Sequence, residues 1–542
     1  MRLRRLRRVG WVLLGSLALL GARWWVRPTP QAAPASGATP ERAAAEETST
    51  ADHTKFEILQ QPFRTGPEVT KACLSCHTEA AKQVMATTHW TWVYQPPTSN
   101  EVWGKRYDIN NFCVAIVSNW PRCTSCHVGY GWKDDSFDFD NETAVDCLVC
   151  HDTTGTYKKF PAGAGHPAYE PKEFPPGSGK IWEPPDLSYV AQHVGRTSRR
   201  TCGACHFYGG GGDGVKHGDM DSTLAEPPKD VDVHMSPEGA GLTCGDCHKP
   251  QAHAIPGSRY VMVAKDTHGK DLPESDGFPT SCESCHGLRP HELGKLNDHV
   301  DRVACQTCHI PAFARGKRPT KLWWDWSVAG DKARGKETDE HGWEVYNYMK
   351  GEFRWGKNVV PVYRWFNGQM DVMTLGERID PDKPVYINEP HGDARDPNSR
   401  IYPFKEFRGK QGYDPEYKLL LVPHLFPFHP DDTTAFWKGF DWGPAFEVGM
   451  KTAGLPYSGR YDWIETTMYW PITHMVAPAE QALKCQACHT RQGRLAALAE
   501  TIYIPAQSGH PWLDPIGWTL TGLTLLGVGI HAGLRMVGRR RS

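Results

Sequence analysis

Sixteen of the 17 cysteines in this chain fall into eight copies of one pattern, Cys-x-x-Cys-His. The copies are Cys73, Cys76 and His77; Cys123, Cys126 and His127; Cys147, Cys150 and His151; and Cys202, Cys205 and His206. They continue with Cys244, Cys247 and His248; Cys282, Cys285 and His286; Cys305, Cys308 and His309; and Cys485, Cys488 and His489. Two thiols at this spacing form thioethers to the two vinyl groups of a porphyrin, and the histidine that follows reaches the iron as proximal ligand. Paired zinc sites or a disulfide framework would not require a histidine after every pair. The pattern therefore implies eight covalently attached c-type haems. The remaining thiol, Cys113 in NNFCVAI, reads either as a small buried apolar residue or as a reactive thiol beside an iron.

Haems that only carry electrons usually take a second strong axial ligand, most often histidine. The chain has 25 histidines, and the eight motifs leave 17. The best distal candidates are His89, His217, His234, His253, His291, His299 and His474, with His193, His268, His424 and His429 in reserve. Seven candidates for eight irons leave one iron with a different ligand. The segment CHFYGGGGDGVKHGD, from Cys205 to Asp219, offers Asp213, Lys216 and His217 directly after four glycines. A lysine ligates iron only as the neutral amine, which burial favours, and glycine lets backbone approach a porphyrin closely. On these residues alone, Lys216 is either such a ligand or a solvated loop residue.

The elements that must position these groups are sparse. Gly and Pro total 53 and 43 in 542 residues, tryptophan is abundant at 21, and the net charge of −1 implies no polyanion partner such as nucleic acid. The expected fold is a multihaem cytochrome c fold, mainly α with much irregular loop, a haem-filled core and few short strands. One membrane helix is expected near each terminus. Residues 1–27 read as a signal anchor or signal peptide, because five arginines precede an apolar run; 28–55 read as a disordered linker. Residues 56–310 hold seven haems, 311–480 form an aromatic-rich cover without haem motifs, 481–510 hold the eighth haem and its helix, and 515–537 form a C-terminal transmembrane helix. Basic residues flank both apolar runs, which places the chain ends in the cytoplasm and the haem region in the periplasm of a bacterial inner membrane. His531, inside the second run, is a candidate ligand for a b-type haem shared with a membrane partner, a quinol-pocket residue or a satisfied interhelical histidine. Short spacings, 24 residues between the second and third cysteine pairs and 23 between the sixth and seventh, predict neighbouring haems.

Several segments are similar to one family. The eight motifs in this order, NNFC before the second, FYGGGGDGVKHGD after the fourth, DVHM before the fifth and ACQTCHIPAFAR at the seventh resemble the octahaem tetrathionate reductases over roughly residues 70–495. The resemblance implies that the second haem is the active site and that Lys216 is its distal ligand, opposite His127. It also implies an active-site role for Asn110, Cys113 and Asp213, and reduction of tetrathionate, nitrite and hydroxylamine. The haem arrangement would be similar to that of pentahaem nitrite reductases and hydroxylamine oxidoreductases, although the chain lacks a Cys-x-x-Cys-Lys motif. Membrane segments are a departure from the family's soluble form and suggest a quinol-linked membrane cytochrome as partner. Calcium is a further candidate cofactor. Two alternatives stay open: oxidation of thiosulfate or hydroxylamine in the reverse direction, or a non-catalytic electron conduit from the quinone pool.

Overall fold

The computed structural model describes residues 51–96, 101–258, 281–505, 507, 509 and 512–539. The expected N-terminal anchor, the linker up to residue 50 and the reserve ligand His268 lie outside the described residues. The chain divides into one large unit, 46–290 with 295–542, and a second that includes His291–Gly294.

Before residue 310 the chain forms short helices joined by turns. Helix α1 (Gly66–Leu74) is opened by a capping box between Thr65 and Glu68 and delivers Cys73 to its last turn. Helix α2 (Arg199–His206) carries the whole fourth motif after a cap from Ser198. Helical turns also span Leu148–His151, Cys244–Cys247, Glu283–His286, Cys305–His309 and Cys485–Cys488. Residues three apart on a helix share a face, so one turn is enough to aim both sulfurs at one porphyrin.

A buried ion pair fixes the backbone around the second motif. Lys159 Nζ lies 3.0 Å from Asp146, with both side chains almost wholly buried, and it also donates to the His127 carbonyl. Asp146 accepts from the hydroxyls of Tyr130 at 2.7 Å and Tyr157 at 2.9 Å. Removing one partner of such a pair strands the other charge. Asp146→Ala should therefore cost about 3–5 kcal/mol, read as a lowered melting temperature of the haem-loaded protein.

The expectation of few short strands is corrected between residues 320 and 471, where nine strands form one mixed sheet. They are β1 (Thr320–Asp325), β2 (Lys336–Thr338), β3 (Glu344–Asn347), β4 (Gly351–Gly356), β5 (Val362–Phe366), β6 (Val385–Tyr386), β7 (Arg400–Asp414), β8 (Leu419–Leu420) and β9 (Asp462–Pro471). The path is β2-β3-β4-β1-β7-β9-β6, with β5 and β8 also paired to β7. Strand β7 is the spine. It runs antiparallel to β9 from Phe404↔Pro471 to Tyr413↔Asp462, and parallel to β1 at Arg408↔Trp323. Its sequence, RIYPFKEFRGKQGYD, lacks polar–apolar alternation because it is buried along nearly its whole length. Its two lysines, glutamine and two glycines give it no strand signature. Trp324, Trp326, Phe353, Phe407, Trp470 and helix α3 (Trp442–Thr452) pack into one cluster on this sheet, so the region has a core of its own.

Helix α4 (Leu513–Arg539) has 27 residues, roughly 40 Å at the α-helical rise. Residues Leu513–Gly538 are long and apolar enough to cross a membrane, and the hydrocarbon layer is about 30 Å thick. His531 lies exposed on this helix. Among the described residues, no group of three or more His, Cys, Asp and Glu side chains is arranged to hold a free metal ion such as calcium.

Candidate functional site

An imidazole nitrogen lies about 2 Å from a metal it ligates, so two rings that flank one metal have centroids roughly 6 Å apart. Six motif histidines are paired with another histidine at that separation. His53 stands 6.3 Å from His77, His89 6.1 Å from His206, and His253 6.3 Å from His151. His474 stands 6.4 Å from His248, His234 6.0 Å from His286, and His299 6.1 Å from His489. This spacing fits a haem iron between each pair.

Further bonds orient the rings. The Nδ1–H groups of His53, His299, His151 and His248 donate to the carbonyls of Ala51, Lys295, Gly195 and Pro256. His253 Nδ1 is 2.8 Å from Gln83 Oε1, and His474 Nδ1 is 3.1 Å from Asp219 Oδ2. Each bond leaves the Nε2 lone pair for a metal. Asp219 is buried, and it also accepts from the amides of Thr473 and His474. Burial raises its pKa, yet the bonds from His474 and these amides hold the carboxyl well below the usual range.

Five of the seven distal candidates thus lie opposite a motif histidine. His291 falls in the separate segment His291–Gly294. The ring of His217 stands 4.9 Å from Trp470, edge to face, and His206 and His474 act on it electrostatically. Sequence reasoning missed His53, which fell inside the expected linker. Residues 53–55 form a 3-10 turn capped by Asp52, and the Asp-His-Thr-Lys run after the Pro/Ala-rich stretch was the available signal. The reserve His424 is committed elsewhere, bonded to Ser118 O at 2.8 Å and Asp432 at 2.7 Å.

The second motif departs from the rest. His127 is 0% exposed, and it alone among the eight motif histidines is buried. Its ring sits within an aromatic box of Trp90, Trp92, Trp132, Phe137 and Phe139, at centroid distances of 4.9 to 6.4 Å. Its Nε2 donates to the Trp90 carbonyl at 2.6 Å, which occupies the nitrogen left free in the paired histidines. Burial pushes its pKa down to about 3, so the ring is neutral. A proximal ligand is expected to face its porphyrin; this ring is held in protein.

Lys216 and Cys113 each lie against the glycine run. A Cβ on Gly209 would come within 3.0 Å of Lys216 Cδ, and one on Gly211 would lie 3.8 Å from Cys113 Sγ. Gly210 and Gly211 have φ of 77° and 91°, in the region glycine favours. The run therefore makes room for the lysine stem. Lys216 Nζ stands 4.7 Å from the Trp470 ring. Burial lowers the lysine's pKa to about 8, with the Lys105 charge adding to the effect.

Lys405, on β7, is 0% exposed. Its ammonium donates to Val215 O at 2.8 Å, Lys216 O at 3.0 Å and Thr320 Oγ1 at 2.6 Å. It clamps the backbone that carries Lys216. Sequence reasoning missed it, because nothing local marks a lysine whose partners are 189 and 190 residues away.

Asn110 and Asp213 support the loops. Asn110 Oδ1 accepts from the amides of Phe112, Cys113 and Val114, and its Nδ2 donates to Val114 O. It shapes the turn that presents Cys113. Asp213 accepts from Ser222 N and Oγ and pairs with Arg318 at 2.9 Å, which anchors the glycine loop. Burial raises the Cys113 pKa, so the group is a thiol at neutral pH.

Sulfur contacts reveal how the motifs adjoin. The sulfurs of Cys73 and Cys147, Cys126 and Cys205, Cys202 and Cys244, and Cys282 and Cys305 lie close enough to act on one another. Electrostatic interactions link Cys150 with Cys202, Cys247 with Cys285 and Cys308 with Cys488. In chain order, the motifs form a line 1-3-4-5-6-7-8, with the second joined at the fourth. The predicted closeness of the sixth and seventh appears in these contacts. The sulfurs of the second and third instead meet the fourth and the first.

Two family models match parts of the chain: bacterial cytochrome c over residues 321–492, and cytochrome c7 and related cytochrome c over 229–310. An uncharacterised protein of Archaeoglobus fulgidus is 25% identical over 276 residues, covering 43% of this chain and 90% of that one. The crystal structure of an octaheme cytochrome c from Shewanella oneidensis is similar at 43% identity and a TM-score of 0.72, covering 82% of this chain and 95% of that one.

Proposed function

We propose that this chain, which belongs to the octahaem c-type cytochromes, is a terminal reductase for a small sulfur or nitrogen oxyanion, with tetrathionate first and nitrite and hydroxylamine as further substrates. The observations that carry this reading are the second motif, where His127 is withdrawn into an aromatic box, and Lys216, which packs against the glycine run that also meets Cys113 and has a lowered pKa. When bound, the haems supply one-electron transfer and, at this motif, an iron that can take a substrate.

Lys216 would hold that iron as the neutral amine. Its ordinary pKa is about 10.4, and burial brings it to about 8, which narrows the gap to neutral pH. His127 would position the motif through Trp90 and leave the iron to the lysine. Asn110 orients Cys113, and the protonated thiol is suited to contact a sulfur chain or donate a hydrogen bond. Disulfide exchange needs thiolate, which burial opposes here. For tetrathionate, two electrons break the central S–S bond and release two thiosulfates. Helix α4 would anchor the haem region to the outer face of a bacterial inner membrane, beside a quinol-linked cytochrome, with His531 available to a shared b-type haem.

A conduit without substrate chemistry is the second reading, favoured by the six histidine pairs. Oxidation of a reduced viologen dye by the haem-loaded protein separates the two. Turnover with tetrathionate or nitrite is expected; no turnover with tetrathionate, nitrite or hydroxylamine would leave the conduit.

A further inference from the structure

Asp219 follows Lys216 by three residues, yet it serves a different histidine pair. It is 1% exposed. Its Oδ2 accepts from the amides of Thr473 at 2.7 Å and His474 at 2.9 Å, and from the Thr473 hydroxyl at 3.2 Å. The ring Nδ1 of His474 lies 3.1 Å from the same oxygen and 2.9 Å from that hydroxyl. The hydroxyl spends its one proton on the carboxylate, so it accepts from the ring. Nδ1 therefore carries the ring proton and Nε2 is left for the iron of the fifth haem, opposite His248. Asp219 Oδ1 is buried without a hydrogen-bond partner among the described residues.

The other Nδ1 groups described above meet neutral oxygens. Carbonyls orient His53, His151, His248 and His299, and the Gln83 amide orients His253. A carboxylate draws the ring proton more strongly and makes Nε2 the stronger donor. Stronger donation and a buried negative charge both favour ferric over ferrous iron. Two further charges bear on this pair. Asp232 acts on His474 and equally on His234 of the sixth pair, while its oxygens accept from the amides of His234, Met235, Met475 and Val476. Lys405 and Asp219 attract one another, while the ammonium bonds to Val215 O, Lys216 O and Thr320 Oγ1.

The fifth motif stands between the fourth and the sixth. Arg199, which opens α2 of the fourth motif, donates to Leu242 O at 2.8 Å, two residues before Cys244. Leu242 N donates to His234 O at 2.7 Å, and His234 faces His286 of the sixth motif.

We propose that Asp219 tunes His474 to lower the reduction potential of the fifth haem, so that electrons passing between the sixth haem and the fourth cross a low-potential step. Asp219 is a positioning residue that acts through a ligand. The inference rests on His248 and His474 holding that haem, and not on which substrate the second haem reduces; it holds for a reductase and for a conduit alike.

The test is a potentiometric titration of the full-length, haem-loaded chain, followed by optical and electron paramagnetic resonance spectra. Asp219→Asn keeps the side-chain shape and an oxygen for the amides and removes the charge. One one-electron step, late in the reduction of the parent protein, should become about 10-fold more favourable, a shift of about 59 mV to more positive potential. The low-spin signals of all six pairs should persist. Gln83→Glu makes the converse change at His253, away from the buried cluster, and should make one step more than twofold less favourable; it decides the matter should Asp219→Asn fail to accumulate. Steps that all stay within about twofold of the parent would overturn the proposal, as would a shifted step that is among the first reduced in the parent. Loss of a low-spin signal in Asp219→Asn would also overturn it, because Asp219 would then hold His474 in place without tuning it.

Discussion

Lys216→Ala should reduce tetrathionate and nitrite turnover by at least about 100-fold while all eight haems stay attached. Removing a group that merely orients a metal ligand already costs about 10- to 100-fold, so losing the ligand itself belongs at or beyond the upper end. Haem attachment depends on the cysteines and not on this lysine. The six histidine pairs are built from other residues, so electron delivery should persist. Acidification should mimic the substitution in part. A proton and an iron compete for one amine lone pair, so ligation weakens as pH falls below the lysine's value of about 8 and strengthens as it rises. Turnover and the optical spectrum measured across pH check both statements.

Lys405→Met should produce the second-largest loss, about 100-fold in kcat, by displacing Lys216. The substitution strips hydrogen bonds from Val215 O, Lys216 O and Thr320 Oγ1, and each buried group left unpaired costs about 1–3 kcal/mol. Relief from burying an ammonium offsets part of that cost, so the loop should shift and the protein stay folded. A displacement of about 1 Å is enough for a 100-fold effect on a reaction that depends on geometry. The variant should show an altered spectrum at one haem only, with the low-spin signals of the paired haems intact. Unchanged spectra together with unchanged kcat would remove Lys405 from the account.

The parts of this protein visible in its sequence are those whose chemistry is local. A porphyrin attachment needs two thiols and a histidine within five residues, and all eight stand out. The glycine–lysine segment is also local, and its resemblance to one family singled out Lys216, which lies against the same glycine run as Cys113. Longer-range relations were hidden. His127 carries the same pentapeptide signature as its seven counterparts, and only the box assembled from Trp90, Trp92, Trp132, Phe137 and Phe139 distinguishes it. Lys405 lies in a strand whose burial depends on pairing with β1, β5 and β9, far away in the chain. Asn110 and Asp213 were assigned an active-site role by the family resemblance alone. Their hydrogen bonds are spent on the loops that hold Cys113 and Lys216. His53 was overlooked because the composition of the preceding tether obscured a short capped turn.

The central claim is that Lys216, and not His127, holds the iron of the second haem. Electron paramagnetic resonance of the fully oxidised, haem-loaded protein tests it most directly, on the parent chain and on Lys216→Ala and His127→Phe. The account predicts one ferric signal distinct from the bis-histidine set, responsive to nitrite, that changes in Lys216→Ala and persists in His127→Phe. A signal that persists in Lys216→Ala and disappears in His127→Phe would contradict it.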